Sequence, residues 1–218
     1  LKSRLQSHEV IMPSWSNYKG RYLKKQYNQR KNFLFRKPYS ISFCGNLNDN
    51  FVNLIKSYFV LNLLKIIKRN YFFNPSYNYH FSQFIRGYTS RMILLNKNIK
   101  FIRVKHKKFY SGADLTLPSQ RMSADLAFLS NSLLSEFSLV VRGMGNFSYR
   151  LYEVMELGNI PIIIDTDFEL PLSGLSEWES NSIIVSINKI NGIDKIISNW
   201  ISKKHNPNPS GFYAKYLS

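Results

Sequence analysis

Two arginines and a glutamate in the middle of the chain have the types and spacing for anion chemistry. Arg142 ends an apolar run, Phe137 to Val141, and Gly143 and Gly145 follow it; Arg150 and Glu153 come one short stretch later. Glycine has no Cβ, so Gly143 and Gly145 permit tight backbone angles and the close approach of a ligand. Asn146 or Ser148 can cap the helix that the next residues predict, and unpaired N–H groups at such a helix start suit a diphosphate. Residues three apart share a helix face, so Arg150 and Glu153 point the same way. An arginine in the first turn gains nothing from the helix dipole, which favours anions there. Its guanidinium fork instead fits phosphate oxygens, and Glu153 can accept hydrogen bonds from a diol. The competing reading is internal: Arg150 and Glu153 pair with each other or with Arg142, and the glycines only turn the chain.

Those side chains need a sheet edge to present them. FSLVV and IPIIID read as buried strands on either side of the helix, and Gly158 is placed to end that helix in a left-handed conformation. Upstream, Ile41 and Phe43 begin a strand that turns at Gly45-Asn46. A helix from about Asn50 to Arg69 follows and is expected to cover the sheet. NYFFNPSYNYHF reads as a loop, followed by a helix over 82–95, a strand over 99–104 and a helix over 121–135. After IPIIID, a loop through Trp178 leads to the strand IIVSI and a helix over 190–202, and the last residues read as docked or frayed. Strands flanked by helices, several apolar without alternation, predict an α/β, Rossmann-like, mostly parallel sheet with helices on both faces. Such sheets bind ligands beyond the C-terminal ends of their strands, where the glycine loop sits. The expected organisation is a lead-in over 1–37, one folded unit over 38–204 and a tail over 205–218.

With 218 residues, 44% of them apolar and 20% charged, the chain can bury one substantial core. Its net charge of +17 is lopsided: residues 1–110 hold 22 Lys and Arg against Glu9 and Asp49, while residues 111–218 hold 8 against 11 acids. Such an excess favours an anionic partner, whether nucleic acid, an acidic membrane surface, an acidic glycan or another subunit, or else forms a solvated basic face. The lone Cys44 excludes an internal disulfide framework, and no Cys/His cluster has the spacing of a structural zinc site. The first residues lack the apolar h-region of a signal peptide. Phe51 to Ile67, interrupted by Asn53, Lys56, Asn62 and Lys65, is too short and polar to span a bilayer.

Taken together, Arg142-Gly143, Ser148-Tyr149-Arg150-Leu151-Tyr152-Glu153 and Gly158-Asn159-Ile160-Pro161-Ile162-Ile163 resemble the C-terminal signature of the exostosin-like glycosyltransferases. Leu170-Pro171 and Trp178 match elements that follow in that family, Phe43-Cys44-Gly45 is similar to its opening strand, and Val10 to Pro13 echoes the text before it. The resemblance runs in order over residues 9–187 and is strongest over 136–178. Three positions depart from it: Ser138 and Asn159 stand where the family usually has cysteine, and Val141 where it has proline. Losing the cysteines removes possible luminal disulfide partners and argues for a divergent member. The compartment stays open: the Golgi lumen for a typical eukaryotic member, otherwise cytoplasmic or membrane-peripheral.

The resemblance implies one half of a GT-B enzyme, in which two Rossmann-like domains face each other across a cleft. This chain resembles the donor-binding half, with a preceding domain or partner chain supplying the other. It implies a nucleotide-sugar donor, usually a UDP-sugar, a glycan or other hydroxyl acceptor, no bound metal and no further cofactor. Arg142 and Arg150 would stabilise the departing diphosphate. The backbone at Gly143, Gly145, Asn146 and Ser148 would cradle it, Glu153 would hold the ribose, and Gly45 and Asn46 would line the opposite wall. An inverting transfer also needs a general base. Asp114, Asp165 and Asp167 lie in or beside predicted loops but are equally turn formers, and His106, in a basic block that lowers its proton affinity, reads as a surface residue. Two other readings remain: a transferase-like subunit without activity of its own, and a nucleic-acid module using the aromatic-laced basic stretch 19–37. No nucleic-acid motif supports the second, which makes nucleic acid the less favoured partner.

Overall fold

The apolar runs pair as parallel strands. The computed structural model describes residues 35–67, 74–106, 117–143, 148–166, 170–203 and 205–217. Five strands, β1 (Tyr39–Asn46), β2 (Ile99–His106), β3 (Phe137–Val140), β4 (Ile160–Asp165) and β5 (Ile183–Ser186), form one sheet in the order β2-β1-β3-β4-β5, every pair parallel. Seven α-helices are described: α1 (Phe51–Ile67), α2 (Pro75–Leu95), α3 (Pro118–Leu133), α4 (Tyr149–Glu156), α5 (Glu177–Asn181), α6 (Ile193–Ser202) and α7 (Pro209–Tyr216), with a 3-10 turn at Ile187–Gly192 leading into α6. The α/β, Rossmann-like class expected from the sequence is the observed one.

Unbroken burial along β3, and along β4 as far as Ile164, follows from cover on both faces. On one face, Ile41, Phe137, Leu139 and Ile162 pack with Ile85 and Ile93 of α2 and Ile197 and Trp200 of α6. On the other, Cys44, Val140 and Ile163 pack with Phe128 of α3, Leu151 and Met155 of α4, and Phe212 of α7. After β1 the chain crosses to β2 on one side and later returns to β3 on the other. That reversal falls between β1 and β3, and the crevice beyond the C-terminal ends of such a strand pair is the usual ligand position in these sheets.

Three expectations need correction. The aromatic, asparagine-rich stretch is not all loop: α2 begins at Pro75, about two turns before Ser82. Asn74 Oδ1 accepts from the Ser76 N–H at 2.9 Å, and Pro75 occupies a first-turn position where its missing N–H costs nothing. The proline is a helix start. Next, α1 does not cover the sheet. It packs on α2 through Leu54 and Leu61, because α2 already fills the sheet-facing layer. A Cβ added at Gly87 of α2 would collide with the Asn48 carbonyl oxygen and the Leu54 side chain, so this contact requires glycine. Finally, the loop before β5 contains α5, where the Trp178 Nε1–H donates to the Pro171 carbonyl at 3.0 Å and its ring meets Phe212.

Candidate functional site

α4 is cut to length by its ends. Ser148 takes the N-cap position with an extended backbone, although its side chain makes no capping hydrogen bond. At the other end Gly158 adopts φ 76°, the left-handed conformation expected of it, while its N–H donates to Met155 and that of Asn159 to Val154. Between them, Arg150 stands in the first turn and Glu153 one turn on. Their side chains form an ion pair, Nη1 to Oε2 at 2.8 Å, and the Arg150 guanidinium lies 3.9 Å over the Phe128 ring. This is the pairing that the internal reading of the sequence expected.

Arg142 leaves β3 into the crevice. Its Nη2 donates to Asn78 Oδ1 at 3.2 Å, its Nε to the Gly143 carbonyl at 3.3 Å, and its guanidinium rests on Phe81. Gly143 is half-buried beside it. Gly145 and Asn146 lie outside the described residues, as do the base candidates Asp114 and Asp167; Asp165 is exposed at the end of β4. Across the crevice, the Asn46 carbonyl faces the same space. Gly45 is less demanding than its position suggests, since an added Cβ would meet only the Phe43 ring at 3.4 Å.

Arg86 of α2, which sequence reading passed over, joins the two walls. Its Nε donates to the Arg142 carbonyl at 3.1 Å and its Nη1 to the Asn46 carbonyl at 3.3 Å, so one guanidinium clasps the ends of β3 and β1. Burial, and secondarily the charge of Arg150, pulls its pKa down to about 10. Arg86 therefore stays cationic at neutral pH, within electrostatic reach of a second arginine. Among the described residues no carboxylate pairs with it. A half-buried cation held only by carbonyls favours an anion alongside. The neighbouring Gly87, with no room for a Cβ, was the available signal: the Arg86-Gly87 pair repeats the pattern of Arg142-Gly143.

His106 is not the surface residue expected. It ends β2 opposite Asn46, is half-buried, and its Nε2 lies 3.3 Å from the buried Cys44 Sγ. Burial and then Arg150 lower the imidazole pKa, while burial raises that of the thiol despite Arg150. Both groups are therefore neutral at pH 7, which suits a thiol donating to Nε2. Farther out, Asp49 pairs with Arg103 and, at 2.7 Å, with Lys105. Burial pushes its carboxyl up, but the two cations outweigh that and hold it below the usual range. Among the described residues no three His, Cys, Asp or Glu side chains gather as metal ligands.

Below the crevice, Ser138 and Asn159 touch. The fully buried Asn159 Nδ2 donates to Ser138 Oγ at 2.9 Å and to the Ser132 and Ser135 carbonyls at 2.8 and 3.1 Å, and Ser138 Oγ meets Ser42 Oγ at 2.8 Å. This knot ties β3, β4 and the end of α3 together. The structure thus gathers Arg142, Gly143, Arg150, Glu153 and Asn46, with Arg86, at the C-terminal ends of the interior strands β1 and β3. The family model of the exostosin GT47 domain matches residues 2–200. No curated protein matches the chain at a significant level.

Proposed function

The chain belongs to the exostosin GT47 family of glycosyltransferases, and from that premise we propose that its crevice binds a nucleotide-sugar, a UDP-sugar by preference, for transfer of the sugar to a hydroxyl of a glycan or similar acceptor. The observation that carries this reading is the convergence of Arg86 and Arg150, two mutually sensed cations, beside Arg142 at the switch point of a parallel sheet. In this reading the diphosphate replaces Glu153 as the partner of Arg150. Glu153 is released to accept hydrogen bonds from the ribose diol. Arg142 and Arg150 stabilise the charge that builds on the diphosphate as the glycosidic bond breaks, and Arg86 keeps the crevice walls at a fixed spacing. The reading asks no metal for this neutralisation, since the arginines supply the charge. The general base comes from outside this group of residues, and the Rossmann-like sheet is consistent with one half of a GT-B enzyme.

One observation favours a second reading. The Arg150–Glu153 ion pair gives each charge a partner within α4, as it would in a transferase-like subunit that binds no donor. Calorimetric titration of the folded chain with UDP separates the two. Saturable binding that weakens in Arg150→Ala supports donor binding, whereas no heat at millimolar UDP supports the subunit.

A further inference from the structure

The outer side of α1 has no place in that chemistry, and its composition is unusual for a protein surface. Val52, Ile55, Phe59, Leu63, Ile66 and Ile67 are all exposed, Phe59 at 67% and Ile66 at 82%. At 3.6 residues per turn they fall within one arc of about 120°. Leu54 and Leu61, which hold α1 on α2, lie on the opposite side. The exposed Lys56 stands inside the arc near one margin, and Lys65 lies about 80° beyond the other, toward the side that carries Leu54. α1 contains no acid. Asp49 is the only acidic residue between Phe35 and His106, and it is already engaged by Arg103 and Lys105.

We propose that this face of α1 docks onto an anionic lipid surface. An apolar arc that carries a lysine and no acid suits a membrane interface, with rings and aliphatic chains in the acyl boundary and the Lys56 ammonium reaching back to the headgroups. A contiguous apolar patch of this size on a soluble surface marks an interaction site. Charge selects the partner. A second copy of this chain would bring Lys56 against Lys56 with no acid on α1 to relieve it, whereas an anionic leaflet attracts Lys56 and the net positive charge of the first half of the chain. The helix, about 25 Å long, lies on the surface without crossing it, and among the described residues no helix is long and apolar enough to span a membrane. Because α1 starts five positions after Asn46, the docked surface lies beside the crevice.

Vesicle flotation tests this with the whole chain and with the double variant Phe59→Glu/Ile66→Glu. Both side chains point away from α2, so circular dichroism and the unfolding midpoint should match the parent. The parent should float with phosphatidylcholine vesicles containing roughly a third phosphatidylserine and bind phosphatidylcholine alone far less. The double variant should lose more than about tenfold in partitioning. Failure of the parent to float overturns the proposal. So does equal flotation of parent and variant, which would assign binding to basic charge elsewhere. Light scattering covers the remaining occupant: self-association of the parent that the double variant abolishes, without flotation, would make the face an interface between copies.

Discussion

Two units meet at the crevice, and they are built on different principles. The β3–α4–β4 unit is short and closed. Its strands are buried, a glycine stops its helix within one residue of the last turn, and the Ser138–Asn159 knot locks strand to strand. The β1–α1–α2–β2 unit is longer and looser in plan: two stacked helices fill the crossover, the inner one on the sheet and the outer one with most of its apolar side chains in water. The first unit contributes Arg142, Arg150 and Glu153 through local geometry. The second contributes Arg86, whose position depends on how closely α2 approaches the β1–α1 connection at Gly87. Local construction makes a motif; long-range construction completes the site.

If that contrast is real, substitutions should separate it. The largest effect belongs to Asn159→Ala, which takes the side-chain donor from the Ser135 carbonyl and one of the donors from the Ser132 carbonyl in a dry interior; the expected loss is about 2–3 kcal/mol in urea unfolding. Gly87→Ala should cost about 1–3 kcal/mol through the collision with Asn48. It should also weaken UDP binding, because it pushes Arg86 off the strand ends; unchanged affinity would detach the second unit from the site. A smaller effect concerns pH. His106 has a folded pKa below its ordinary 6.5, so the unfolded chain takes up the proton first as pH falls. Its contribution to stability is intact above pH 6.5 and is lost as pH falls through the folded value. His106→Gln should flatten that part of the stability profile, and an unaltered profile would remove His106 from the account. The smallest change is Gly45→Ala, expected to shift stability by less than about 0.5 kcal/mol, since the added methyl finds only ordinary contact with Phe43.

The same contrast explains what could be read in the sequence. The strands, the helix and its stop between Phe137 and Pro161 could be read from the sequence, because burial without alternation, a capping glycine and i,i+3 spacing are local signals. Arg86 could not, because its meaning lies in the carbonyls of Asn46 and Arg142, far away in the chain. His106 departs from its surface expectation for a similar reason: only the parallel register of β1 and β2 sets it opposite Asn46 and against Cys44. Pro75 reads as a loop marker in the sequence because a proline signals a break and a helix start equally well, and only its Asn74 cap distinguishes them. α1 looked like cover for the sheet because its apolar content was high; which layer it occupies is decided by α2, not by α1 itself.

The central claim is that arginines from both units bind one diphosphate. Its most direct test is calorimetric titration of UDP into the parent, Arg150→Ala and Arg86→Gln at fixed ionic strength, with circular dichroism confirming that each is folded. The account predicts saturable binding by the parent and an increase of about tenfold to a hundredfold in the dissociation constant for each variant. A folded parent that binds no UDP at millimolar concentration, or an Arg86→Gln variant that binds as the parent does, would contradict it.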